Sequence, residues 1–297
     1  MSIAMARNGD VQIAYETFGS LNGEPLLLIA GNAMQMVAWP DDLCAALADR
    51  GFAVARFDNR DTGLSTHFTG QPHLLKDWFR AGKVASYRLE DMADDAVAVM
   101  DALGWEGAHL VGVSMGGVIA QVAALRHPSR VRTLTSMMSQ PGWGRGRSNM
   151  RTVARLFLRA ALRRRTPGRE GAGDRLVDAM SLIGSPVYPL DEAEIRELAT
   201  LSYDRDPRED GMMRHSAAFG ATGDLTSRLA GLRIPTLVLH GEADPMVRPS
   251  AAKATADAIP GARLVLYPGM GHHLPRELWP AIIEEIHTLA AATRSAS

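Results

Sequence analysis

The chain predicts an α/β protein: a mostly parallel sheet covered by helices on both faces, with an inserted helical cap. Three observations carry this reading. Short apolar runs recur at residues 25–30, 52–57, 108–113, 131–137, 235–240 and 262–267, with helical periods between them. Strand and helix alternate this regularly only in a parallel sheet buried on both faces. The rhythm then lapses from about residue 140 to 223, where Gly142, Gly144, Gly146, Gly168, Gly171 and Gly173 punctuate a stretch rich in helix formers and poor in strand runs. The predicted division is a core of residues 1–139 and 224–297 and a cap of residues 140–223.

Each element has a local reason. Residues 11–18 alternate through Val11, Ile13, Tyr15 and Thr17, which suits an early edge strand. A turn leads into the run 25–30, which ends in Gly31-Asn32-Ala33-Met34, and a helix follows through Leu43 and Leu47. The strand 52–57 closes on Asp58-Asn59-Arg60-Asp61-Thr62-Gly63-Leu64-Ser65-Thr66. Met92, Ala96, Val99, Met100 and Leu103 keep a helical period that Gly104 stops. After residues 108–113, Val118, Ile119, Val122 and Ala123 are spaced for the buried face of a helix reaching about Arg126. Beyond the cap come the strand 235–240, a helix near 251–258, the strand 262–267 and a last helix from Trp279 to Ala292, leaving 294–297 as a loose tail.

Bulk properties narrow the function classes. A chain of 297 residues can be one α/β domain and buries about three quarters of its unfolded surface. Apolar content of 46% and charged content of 22% are ordinary for a soluble protein. A formal net charge of −1 makes no electrostatic case for a nucleic-acid partner. The single cysteine, Cys44, permits no internal disulfide and fits a reducing compartment. No signal-peptide h-region and no membrane-length apolar run occurs, so a soluble, cytoplasmic protein without stable membrane insertion is expected. A homo-oligomer is left open.

The chemistry centres on Gly112-Val113-Ser114-Met115-Gly116, which fits the G-x-S-x-G nucleophile elbow. By itself that pattern is weak; an apolar strand before it and an amphipathic helix after it strengthen it. A serine hydroxyl needs an imidazole to take its proton, and the imidazole needs a carboxylate to fix its tautomer. Groups that meet on an open parallel sheet sit at the carboxyl ends of strands. His240-Gly241-Glu242-Ala243-Asp244 leaves one such end and Pro268-Gly269-Met270-Gly271-His272-His273 another. Asp244 is the expected acid, with Glu242 the competitor, and His272 the expected base, with His273 the alternative. The oxyanion hole is expected from the amides of Met115 and Asn32. His109, His127 and His240 read as structural, while His215 in the cap is a candidate substrate contact. No cluster has metal-ligand spacing and no phosphate-binding glycine loop occurs, so neither metal nor cofactor is implied.

Taken together, residues 112–116, Asp244 and His272 resemble the α/β-hydrolase superfamily across nearly the whole chain outside the cap, which implies the α/β-hydrolase fold. Gly31-Asn32, Trp39-Pro40-Asp41, the stretch Asp58 to Thr66 and Pro268-Gly269-Met270-Gly271-His272 look like the aclacinomycin methylesterase group of bacterial secondary metabolism and its esterase and lipase relatives. That group hydrolyses a methyl ester on an anthracycline polyketide with a serine triad and no cofactor. The resemblance implies Ser114 as nucleophile, Asp244 as acid, His272 as base and the amides of residues 32 and 115 as oxyanion donors.

Two features of the cap bear on substrate. Arg151, Arg155, Arg159 and Arg163 recur every four residues on one helical face, with Leu156, Phe157 and Ala160 towards the other. This fits a solvated face whose apolar side lines the site, or a contact to an anionic substrate or membrane surface. Met34, Met138 and Met270, with Met36, Met115, Met137, Met212 and Met213, fall near the expected site. Such thioethers suit a roomy apolar pocket, and equally plain core filling. The expected partner is a small ester, bulky and largely apolar, cleaved through an acyl-enzyme. A C–C bond hydrolase with the same triad, or a non-catalytic ligand-binding relative, is the alternative; faster cleavage of a diketone than of any ester marks the first, and failure to react with a fluorophosphonate marks the second.

Overall fold

The computed structural model describes residues 3–70, 85–144, 146–162 and 166–294. Strand β1 (Ala4–Asn8) turns through Gly9, in the left-handed region at φ 60°, into β2 (Val11–Phe18), with Asn8 opposite Val11. This corrects one expectation. Ala4-Met5-Ala6-Arg7-Asn8 carries no apolar alternation, yet it pairs outside β2, so β1 takes the edge and β2 lies one strand in.

The chain continues through β3 (Glu24–Ile29), α1 (Asp41–Ala48), β4 (Phe52–Phe57), α2 (Leu89–Ala102), β5 (Ala108–Val113), α3 (Met115–Arg126) and β6 (Val131–Met137). Between β6 and β7 the described residues form the helices α4 (Met150–Leu162), α5 (Gly168–Ile183), α6 (Glu192–Arg205), α7 (Gly211–Thr222) and the short α8 (Thr226–Leu229). Then come β7 (Thr236–Gly241), α9 (Pro249–Ala258), β8 (Arg263–Tyr267) and α10 (Trp279–Arg294). The strands form one sheet in the order β1-β2-β4-β3-β5-β6-β7-β8, parallel from β4 onward. Gly142 pairs with Asp224, so the chain leaves and re-enters the sheet region at one place.

Alternation along the central strands builds a core on each face. Leu27, Ile29 and Leu110 pack with Met92, Val99, Ile119 and Val122 of α2 and α3. Leu26, Leu28 and Val111 pack with Leu43 and Leu47 of α1 and with Ile282, Ile283 and Ile286 of α10. Strand β4 lies on one side of β3 and β5 on the other, so the chain reverses direction across the sheet at the β3/β5 boundary. A doubly wound sheet opens its crevice at such a point, outside the carboxyl ends of the strands.

On the arginine stripe of α4, Arg151, Arg155 and Arg159 face solvent and have no carboxylate partner among the described residues. Arg163 lies outside the described residues. No helix among those described is long and apolar enough to cross a membrane.

Candidate active site

Ser114 sits between the end of β5 and the first turn of α3. Its backbone is held at φ 55° and ψ −120°, a conformation a non-glycine residue keeps only when its surroundings impose it. The surroundings do: the Ser114 amide donates to Met137 O (2.8 Å) and Ser139 Oγ donates to Ser114 O (2.7 Å). The flanking glycines have a packing cause. A Cβ on Gly112 would collide with the Gly116 carbonyl, and one on Gly116 with the Ile29 carbonyl of the neighbouring strand. The first amides of α3, starting at Met115, lack intrahelical acceptors and lie at the positive end of the helix beside the hydroxyl.

His272 and Asp244 complete a hydrogen-bonded line. Asp244 Oδ2 lies 2.7 Å from His272 Nδ1, and His272 Nε2 lies 3.1 Å from Ser114 Oγ. A carboxylate can only accept, so Nδ1 carries the proton and Nε2 offers its lone pair to the serine. Asp244 divides its oxygens: Oδ1 accepts the amides of Met246 and Val247, both at 2.8 Å, which orients Oδ2 towards the ring. Burial works to raise the Asp244 carboxyl, but His272, His240 and the Val247 amide outweigh it and hold the group below its usual range.

The members of each expected pair differ in placement. Glu242 is exposed while Asp244 is buried, and His272 makes both ring contacts while His273 is turned away with its Nδ1 unpartnered. His272 is also held from the insertion, since its amide donates to Ile183 O at the end of α5 (2.7 Å). His240 is buried at the end of β7, its Nε2 3.0 Å from Val247 O and 3.5 Å from Asp244 Oδ2.

The loop after β3 reaches the same point. A Cβ on Gly31 would lie 3.4 Å from Ser114 Cβ and 3.1 Å from Met34 Sδ, so Asn32 follows a residue in contact with the serine. Asn32 Nδ2 donates to Ser216 Oγ (3.0 Å), and the Ala33 amide donates to His215 Nδ1 (3.1 Å).

Three of the four expected pocket residues are buried. Met138 and Met270 are buried in the same apolar cluster as Tyr267 and Trp279. His215 is fully buried with both ring nitrogens committed, Nδ1 to Ala33 and Nε2 to Arg60 O (2.7 Å), so it offers a substrate no free polar atom. Burial pushes its imidazole down to about 4, keeping the ring neutral. Met34 remains partly exposed beside Gly31.

The stretch Asp58 to Thr66 supports this loop. Asp58 Oδ1 accepts the Met36 amide (2.7 Å), Asp58 Oδ2 accepts from Arg205 (2.5 Å), and Asn59 Nδ2 donates to Ala30 O (3.1 Å). Gly63, at φ 55°, has no room for a Cβ beside the Asp58 carboxylate. Asp61 takes a two-pronged bond from Arg214 (2.8 and 2.9 Å). Sequence reasoning missed Arg205, Arg214, Ser216 and the Ile183 carbonyl. Arg214 left one trace: a lone cation among Met212, Met213, Ala217 and Ala218, four residues after Asp210.

Comparison with known proteins agrees with this architecture. A family model for the alpha/beta hydrolase fold matches residues 24–275. Rhodomycin D methylesterase DauP of Streptomyces sp. (strain C5) is 30% identical, with 98% of this chain and 99% of that one aligned. Rhodomycin D methylesterase DnrP of Streptomyces peucetius is 29% identical over 98% and 99% of the two chains. Among solved structures, the esterase RhEst1 from Rhodococcus sp. ECU1013 superposes with a TM-score of 0.76 at 22% identity, covering 99% and 100% of the chains. A sheet parallel from β4 onward, the Ser114 turn and a family match over most of its length make this chain a member of the α/β-hydrolase superfamily.

Proposed function

We propose that the chain is a serine carboxylic-ester hydrolase, acting through an acyl-enzyme on a bulky, largely apolar ester of the polyketide methyl ester type. The observation that carries it is the Asp244–His272–Ser114 line of hydrogen bonds. His272 Nε2 takes the Ser114 proton as Oγ attacks the ester carbonyl. The amides of Met115 and Asn32 hold the oxyanion that forms, and preorganised donors of this kind are worth a factor of about 10²–10³ each. The imidazolium, stabilised by Asp244, returns its proton to the leaving alcohol, which is methanol for a methyl ester. Water then gives its proton to His272, attacks the acyl carbon and releases the acid, with Ser114 recovering its hydrogen. Similarity to two rhodomycin D methylesterases over nearly the whole chain supports the methyl ester as the substrate class.

The test is turnover of p-nitrophenyl esters from acetate to dodecanoate and of an aromatic methyl ester, with Ser114→Ala as control. Ser114→Ala is expected to keep its fold and lose at least ~10³ in kcat. Retained turnover in a clean Ser114→Ala preparation overturns the mechanism. A preference for long linear acyl chains over the methyl ester overturns the substrate class.

A further inference from the structure

We propose that His215 is a positioning residue for the oxyanion loop, so that helix α7 of the insertion, and not the sheet alone, sets where the Asn32 amide points. The inference rests on the ester-hydrolase reading above. The loop has little of its own to hold it. Ala33 sits at φ 58°, a left-handed conformation costly for alanine, and the turn is closed by a long 3.3 Å bond from the Met34 amide to Gly31 O. Asp58 and Asn59 fix its two flanks, at Met36 and Ala30, while its tip, Asn32 and Ala33, is held by two successive residues of α7. The Ala33 N–H is accepted by His215 Nδ1, and the Asn32 side-chain amide is accepted by Ser216 Oγ, which itself donates to Met212 O (2.8 Å). The Ala33 N–H and the Asn32 N–H belong to rigid peptide planes that share the Asn32 Cα, so pinning one plane limits how the other can turn.

His215 is fixed in turn. An amide N–H only donates and a carbonyl only accepts, so the ring must be the neutral tautomer with its proton on Nε2, held by Arg60 O. Arg60 is clamped by Asp95 through two bonds (2.6 and 2.8 Å), and the next residue, Asp61, by Arg214. A continuous chain of contacts therefore runs from the buried ion pairs to the loop beside Ser114.

The test compares His215→Asn with His215→Gln. The shorter amide places an oxygen near the Nδ1 position and keeps an acceptor for Ala33; the longer one reaches towards Arg60 and leaves Ala33 without an acceptor. The readout is the second-order rate at which a fluorophosphonate probe labels Ser114, because the probe's phosphoryl oxygen occupies the oxyanion position and no natural ester is needed. His215→Asn is expected within about threefold of the wild-type rate and His215→Gln slower by about tenfold or more. With p-nitrophenyl acetate the loss should appear in kcat, with KM nearly unchanged. Equal slowing of both variants, or a loss confined to KM, overturns the positioning role alone. A wild-type chain inert to the probe overturns the serine-hydrolase reading, and this inference with it. Should His215→Gln not fold, 15N NMR of the wild-type His215 ring decides: its signals must report a proton on Nε2 and shift when Ser114 is labelled, and unchanged signals overturn the proposal.

Discussion

The two ends of the inserted segment are attached to the molecule in opposite ways. Helix α7 and the end of α6 are joined to the core by pairs taken out of water. Arg214 and Asp61 are both 0% exposed, and Arg205 meets the fully buried Asp58. Helix α5 is joined to α6 and the segment after it by pairs at the surface: Arg169 with Asp204, Arg175 with Glu209 and Asp174 with Arg196. Helix α4 adds three arginines with no carboxylate partner among the described residues. Losing one partner of a desolvated pair strands a charge at a cost of about 3–5 kcal/mol, whereas an exposed pair contributes about 0–1 kcal/mol. The α7 side is thus part of the framework that holds the loop beside Ser114. On the α4 and α5 side the ion pairs lie at the surface, and that side meets the site through the Ile183 carbonyl.

Arg214→Met should show the contrast most strongly. It leaves Asp61 buried without its partner and is expected to lower unfolding free energy by about 3–5 kcal/mol in denaturant titration. A loss below about 1 kcal/mol would sink the idea that α7 is anchored by charge.

Acid is the next lever. Burial holds the folded-state His215 at about 4 against an ordinary 6.5, with Arg60, Asp61, Arg214 and Tyr87 around it. The unfolded chain therefore binds the proton first as pH falls. This contribution is fully present above about pH 6.5, declines as pH falls towards 4, and amounts to about 3 kcal/mol in all. His215→Asn should flatten the dependence of unfolding free energy on pH in that window, and an unchanged slope would refute the assignment.

Arg175→Met on α5 is expected to cost no more than about 1 kcal/mol, and less at high salt, by the same titration. Smallest of all, Arg155→Gln on α4 should leave stability within about 0.5 kcal/mol. A large loss in either would mean that this side is as firmly anchored as α7.

Much of this was legible because it is local. A buried parallel strand must be an apolar run, and the turn after β5 must have glycines where carbonyls of Gly116 and Ile29 crowd the chain. Ser114, Asp244 and His272 could be named because strand ends are where an open sheet gathers its chemistry. The choice of Asp244 over Glu242, and of His272 over His273, was a choice of side-chain direction, and only the closed loops display direction. The edge strand β1 stayed hidden because its pairing with β2, not its own pattern, makes it a strand.

The sequence by itself determined the central strand runs, their helices and the serine turn, since each depends mainly on neighbours a few positions away. Tertiary structure alone decided what His215, Arg214 and Asp61 do, because their partners lie about 150 to 180 residues away along the chain. A histidine, an arginine and an aspartate look solvent-bound in a list of residues. Once folding removes the water, each must find its complement, and here the complements are one another and the loop beside Ser114.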